Sequence, residues 1–142
     1  MASIKPGSRI WVPHPGKVFV LAEVLAVDAV SCTARTVEEG KITQIDFSEK
    51  PPFISNPKDD VEDMTALYHI HEPAILQNLE TRSLSNEPYT FMASVLVAVN
   101  PLRPIPHKVE AGSPKVAIAG PHPYAIAELG IFMKPLQKFN KG

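Results

Sequence analysis

The run Val95-Leu96-Val97-Ala98-Val99, halted at once by Asn100-Pro101, narrows the folds open to this chain more than any other stretch. It holds no polar residue and is rich in β-branched types, the pattern of a strand buried on both faces in the middle of a sheet. Residues 89–99 are therefore expected to form one buried strand, which needs neighbours on both sides. Before it, Met64, Leu67 and Tyr68 fall at helical spacing, and Pro73 suits the first turn of a new helix carrying Ala74, Ile75, Leu76 and Leu79. The spacing predicts a short helix, a break around residues 70–71 and a second helix over residues 72–82. Asp59, Asp60, Glu62 and Asp63 put carboxylates where they complement the helix dipole, and Asp60 or Asp63 can act as the cap.

Residues 7–52 read as β throughout. Arg9-Ile10-Trp11-Val12 is a short strand closed by Pro13, and His14-Pro15-Gly16-Lys17 carries turn chemistry. Residues 18–27 form a longer apolar strand with Glu23 as its only charge. Residues 31–37 alternate, and Glu38-Glu39-Gly40-Lys41 offers a glycine where a hairpin needs positive φ. Ile42 stands one residue out of phase with Ile45 and Phe47, so a bulge is expected near Thr43 or Gln44. Several short strands with tight turns in so few residues point to a small antiparallel barrel. Trp11 suits barrel packing; a peptide groove would need more aromatics beside it than Phe19 and Phe47. Pro51-Pro52-Phe53-Ile54-Ser55-Asn56-Pro57 reads as an extended linker.

Composition excludes more than it selects. At 142 residues the chain suits one ordinary domain or two small ones, burying about two-thirds of the unfolded surface. With 14 basic and 15 acidic residues the net charge is −1, which favours neither nucleic acid nor an anionic membrane. The single Cys32 rules out an internal disulfide and suits a reducing compartment. The N-terminus lacks the apolar core of a signal peptide, and no run approaches the roughly 18 apolar residues of a membrane span. Fifteen prolines, about twice the usual share, imply many loops and short helices.

Several constellations fall short of a site. On a helix the rings of His69 and His71 point about 200° apart, and neither a cysteine nor a third nearby histidine completes a metal site, so capping or surface roles are expected. The acidic cluster at residues 59–63 lacks the spacing of a calcium loop. No glycine-flanked serine makes a nucleophile turn. The segment after the 89–99 strand is different, because ligands of α/β proteins collect beyond strand ends. There, in the proline-stiffened loop Asn100-Pro101-Leu102-Arg103-Pro104-Ile105-Pro106, a polar amide and a cation are candidate ligand groups. Residues 109–120 read as loop, and Pro121-His122-Pro123-Tyr124-Ala125-Ile126-Ala127-Glu128 opens a helix weakened by Gly130.

Taken together, DMTALYHIHEPAILQNLETR, PYTFMASVLVAVNP and PHPYAIAE closely resemble the beginning of the myosin motor domain, and Trp11-Val12-Pro13 is similar to the opening of the SH3-like barrel that precedes it in many myosins. The resemblance implies an α+β chain: residues 1–52 a small antiparallel SH3-like β-barrel, and residues 53–142 an incomplete α/β segment of a P-loop motor domain. It implies that Asn100 and Arg103 contact the adenine of ATP, with Pro101 shaping the loop. Lys108 stands where the family usually places a tyrosine beside the base. The parent activity would be an actin-activated ATPase of the cytoplasm and cytoskeleton, with actin filaments and the remainder of the head as partners. Neither nucleic acid nor a membrane span is implied.

The family's phosphate-binding loop, magnesium ligands and actin-binding surface would lie beyond residue 142. Phosphoryl transfer needs a phosphate cradle, a lysine and a metal, so the chain alone is expected to bind ATP weakly and not to hydrolyse it. The alternative is a stand-alone SH3-like protein-interaction module without nucleotide binding, which requires a partly exposed Trp11. A small enzyme using His107, Lys108 or His122 would require those groups to converge.

Overall fold

The computed structural model describes residues 4–47, 51–105 and 120–132. The chain clusters into two compact units, one of Met1–Asp59 with Leu67–Gln77 and the other of Asp60–Ala66 with Asn78–Gly142.

The first unit is built on five antiparallel strands: β1 (Arg9–His14), β2 (Val18–Val27), β3 (Ser31–Thr36), β4 (Ile42–Asp46) and β5 (Phe53–Ile54), in the order β4-β3-β2-β1-β5. This is consistent with a small SH3-like barrel. Side chains alternate across a strand, so the register decides which residues meet. Ile10 and Val12 of β1 join Val20, Ala22 and Val24 of β2 and Cys32 and Ala34 of β3 in one buried cluster, with Ile45 and Phe47 packed on it. Trp11 points the other way; β5 pairs with β1 so that Phe53 stands opposite Trp11, and Pro13 of β1 stands opposite Phe19 of β2. The proline-led linker thus contributes a short fifth strand. Trp11 is only 8 % exposed, against the partly exposed ring that a stand-alone module requires.

Local chemistry sets the turns. His14 Nδ1 accepts the N–H groups of Gly16 and Lys17 at 3.2 and 3.1 Å, tightening the β1–β2 connection. Beyond it Val18 has φ +65° while Phe19 N–H donates to the Lys17 carbonyl at 2.7 Å, a strained three-residue turn for a β-branched residue. Gly40 supplies the positive φ of the β3–β4 turn, as its place in the sequence predicts. The expected bulge at Thr43 or Gln44 is absent: β3 and β4 pair without interruption from Ser31↔Asp46 to Arg35↔Ile42. Ile42 instead faces solvent at 62 % exposure, which removes the phase conflict, and the irregularity lies in β2 between Val24 and Ala26.

Helix α1 (Glu72–Leu84) begins where the proline places it. His71 is its cap: the ring Nδ1 accepts the Ala74 N–H at 3.2 Å, and Nε2–H donates to the Ile54 carbonyl at 2.8 Å. Pro73 lies in the first turn, where a missing N–H costs nothing. The helix stops in a Schellman arrangement, Glu87 N–H to the Arg82 carbonyl at 2.8 Å and Asn86 N–H to that of Ser83 at 3.2 Å, with Asn86 at φ +62°. The first expected helix is only a 3₁₀ turn, Met64–Ala66. Asp63 holds its start by accepting the N–H and the hydroxyl of Thr65.

The larger correction concerns residues 89–99. They form not one buried strand but a hairpin, β6 (Tyr89–Met92) and β7 (Val95–Ala98), paired from Tyr89↔Ala98 to Met92↔Val95. Ala93, at φ +54°, turns the chain and donates its N–H to Asp63 Oδ1 at 3.2 Å. A carboxylate thirty residues upstream thus pins a turn that the apolar run conceals. Among the described residues β7 pairs only with β6, and Val95 is 59 % exposed. Helix α2 (Pro123–Phe132) follows the Pro-His-Pro segment, with His122 Nδ1 accepting the Tyr124 N–H at 3.2 Å.

Candidate functional site: the loop after β7

The end of β7 is anchored before the loop begins, because Val99 N–H donates to the Pro88 carbonyl at 2.8 Å. Asn100 then accepts the Leu102 N–H on its Oδ1 at 2.9 Å, an Asx-turn that reverses the chain two residues after the strand. Leu102 takes φ +54° and is 88 % exposed, so its large apolar side chain stands in solvent at the tip. Pro101 between them fixes its own φ and stiffens the turn.

Arg103 is exposed and reaches back to the end of α1, where Nη2 donates to the Ser83 carbonyl at 3.3 Å. A helix C-terminus has unpaired carbonyls and a partial negative charge, so it attracts a guanidinium. Asn100, Pro101 and Arg103 therefore sit on one short turn braced by the hairpin at one end and by α1 at the other. Lys108 lies outside the described residues, as does His107, so the convergence required of a small enzyme lies outside them as well. His122 contacts Tyr89 and Tyr124, ring centroids 5.4 and 4.9 Å away.

Beneath this loop lies a polar cluster that sequence reading missed. Arg82 of α1 is 4 % exposed; its Nε donates to the buried Thr90 Oγ1 at 3.0 Å, Nη1 to Asp60 Oδ1 at 3.1 Å and Nη2 to the Tyr89 carbonyl at 3.2 Å. It ties α1 to the start of β6. The available signal was the spacing Ala74, Asn78, Arg82, one residue per helical turn, which places two polar groups on the buried stripe.

Among the described residues no group of three or more His, Cys, Asp or Glu side chains is placed to hold a metal ion. His69 and His71 stack with centroids 6.4 Å apart, and both ring nitrogens of His71 are already occupied. Burial pushes the Cys32 thiol above its ordinary range, the opposite of an activated nucleophile.

No protein-family model matches the chain. Curated relatives do. It is 33 % identical over 128 residues to Myosin-8 of Arabidopsis thaliana, covering 86 % of this chain. It is 38 % identical over 132 residues to Myosin-6 and 35 % identical over 130 residues to Myosin-5 of the same plant, again over 86 % of the chain. The chain spans about 8 % of the length of each. At these identities and this coverage the chain belongs to the myosin heavy-chain family, as a segment corresponding to the N-terminal part of the head.

Proposed function

We propose that this chain serves as the opening segment of an ATP-driven, actin-based motor. Residues 1–52, with the short β5 paired onto them, form its SH3-like barrel, and the chain after β5 begins the α/β core that a P-loop completes. In that setting Asn100, Pro101, Arg103 and Lys108 form the adenine-side wall of the ATP site. The Asx-turn occupies the Asn100 oxygen and leaves its NH₂ group to donate to a ring nitrogen of the base. Arg103 exchanges its contact with the α1 terminus for one with the nucleotide.

No Gly-x-x-x-x-Gly-Lys-Ser/Thr occurs among the 142 residues, so gripping the phosphates and magnesium is assigned to other parts of the motor. Those parts also carry actin binding, and the working location is the cytoplasmic actin cytoskeleton. The observation that supports this reading best is the similarity to plant myosins over 86 % of the chain. The test is a motor heavy chain carrying this segment with Asn100→Ala and Arg103→Ala. The KM for ATP should rise about tenfold, the equivalent of one lost hydrogen bond of about 1.4 kcal/mol, while nucleotide-free actin binding stays unchanged. An unaltered KM in both variants would overturn the assignment of the wall.

A further inference from the structure

The turn after β7 and the strand that leads into it both hang on one turn of α1. Arg82 reaches the base of the hairpin, where its Nε donates to Thr90 Oγ1 at 3.0 Å and its Nη2 to the Tyr89 carbonyl at 3.2 Å. Tyr89 stands opposite Ala98 and Thr90 opposite Val97, so whatever fixes the start of β6 also fixes the end of β7. Val99 N–H then donates to the Pro88 carbonyl at 2.8 Å, and Asn100 follows at once. On the far side of the turn, Arg103 Nη2 donates to the carbonyl of Ser83, the residue next to Arg82. The chain therefore enters the Asn100 turn held by Arg82 and leaves it held by Ser83.

Desolvating a charge is costly, and the pair with Asp60 recovers only part of that cost, because 56 % of the Asp60 side chain lies in solvent. What the guanidinium adds, and an apolar side chain could not, is direction. Its planar fork holds three acceptors at set distances: Asp60 before the 3₁₀ turn, and the Tyr89 carbonyl and Thr90 hydroxyl at the start of β6. Thr90 is 1 % exposed, so its contact with Arg82 is shielded from exchange with water.

We propose that Arg82 is a positioning residue for the adenine-side wall: it sets where Asn100 points its amide, and so how tightly and how selectively the base is held. The inference rests on the reading of that wall given above. Arg82 acts through the backbone of β6 and β7 rather than by contact with the nucleotide. A binding group displaced by about an ångström loses much of its effect. Pro101 fixes its own φ, so the turn has little freedom to search for the base once its base moves. With lysine at position 82 the fork is lost, the base of the hairpin loosens, and the Asn100 amide spreads over several directions.

Two measurements on Arg82→Lys test this. In the intact chain the Val99 amide should exchange about tenfold faster and the side-chain amide resonances of Asn100 should shift, while the Ala93 amide at the other end of the hairpin, held by Asp63, keeps its rate. A general loss of stability would speed Val99 and Ala93 alike. In a motor heavy chain carrying this segment, the KM for ATP should rise about fivefold at unchanged kcat, and the preference for ATP over GTP should fall by a similar factor. In a background of Asn100→Ala with Arg103→Ala the same change should raise KM by less than about 1.5-fold, because the groups it positions are gone. Thr90→Val, which removes one acceptor of Arg82, should move the same readouts by less, and it serves if Arg82→Lys does not fold. Equal acceleration of Val99 and Ala93, a full KM rise in the double background, or an unchanged KM where Asn100→Ala raises it would overturn the proposal. An unaltered KM in Asn100→Ala and Arg103→Ala, with Val99 still accelerated in Arg82→Lys, would instead overturn the wall reading on which the inference rests, so the two failures are distinguishable.

Discussion

Asn78 and Val61 are joined by two hydrogen bonds that run in opposite directions: Val61 N–H donates to Asn78 Oδ1 at 2.8 Å, and Asn78 Nδ2 donates to the Val61 carbonyl at 3.1 Å. The side-chain amide takes the place that a neighbouring strand's peptide would hold. Asn56 treats His69 the same way, at 2.6 and 2.9 Å. In each case a segment outside regular structure has its backbone satisfied by one buried amide, as backbone removed from water requires.

Asn78 is fully buried, so Asn78→Ala leaves two backbone groups without partners as well as a small void. The expected loss is about 2–4 kcal/mol. Asn78→Asp should be no better, since it keeps an acceptor, loses the donor to Val61 and buries a charge. Urea midpoints at unchanged slope would show both losses; a loss below about 1 kcal/mol would mean that the paired amide matters little.

For Arg82, the geometry of the guanidinium matters more than its charge. Lysine keeps the charge but cannot reach Thr90, Asp60 and the Tyr89 carbonyl at once. Arg82→Lys is expected to cost about 2 kcal/mol, and Arg82→Met a similar amount, because Thr90 and the Tyr89 carbonyl lose their donor in both. Chemical denaturation of the two variants, with faster amide exchange in β6, is the check; a lysine variant as stable as the parent would contradict it.

Asp63 predicts a pH dependence. Hydrogen bonds from the Thr65 amide and hydroxyl, and from the Ala93 amide, hold its carboxyl below the ordinary carboxylate range. A depressed folded-state pKa means that the contribution is complete above the unfolded value of about 4 and is lost as pH falls through the folded one. The Ala93 amide should therefore exchange faster, and the hairpin turn loosen, as the solution is acidified below about pH 4. In Asp63→Asn that step should vanish; its survival would assign it to another carboxylate.

Gly40 offers a test of backbone conformation alone. Its φ is +67°, and a Cβ placed there meets nothing within 4 Å. Gly40→Ala should cost about 1 kcal/mol from the left-handed backbone, whereas Gly40→Asn should cost less because asparagine tolerates that region. Equal stability of the alanine variant and the parent, measured by thermal unfolding, would show that the turn relaxes.

The readable parts of this fold were those in which a short stretch states its own answer. Gly40 announced a turn, Pro73 announced the start of α1, and the strand pattern of residues 9–46 announced an antiparallel barrel. The Asn100-Pro101 turn and its Arg103 were legible too, because an amide and a proline end a strand by their own geometry. The apolar run at residues 95–99 misled because Ala93-Ser94 carries no glycine or proline. What makes a turn there is Asp63, a partner that no local window contains.

From its sequence alone this chain had its antiparallel strands over residues 9–46 and the start of α1 determined, since each rests on the period and spacing of neighbouring residues, while its kinship with myosins rests on the resemblance of its motifs. Tertiary structure alone decided that α1 buries Asn78 and Arg82 rather than Leu76, that residues 89–98 fold back as a hairpin, and that Phe53 of β5 stands opposite Trp11. The physical reason is the same in each case. A polar residue becomes a core residue, and a strand becomes an edge, only through the hydrogen-bond partner that distant chain brings to it.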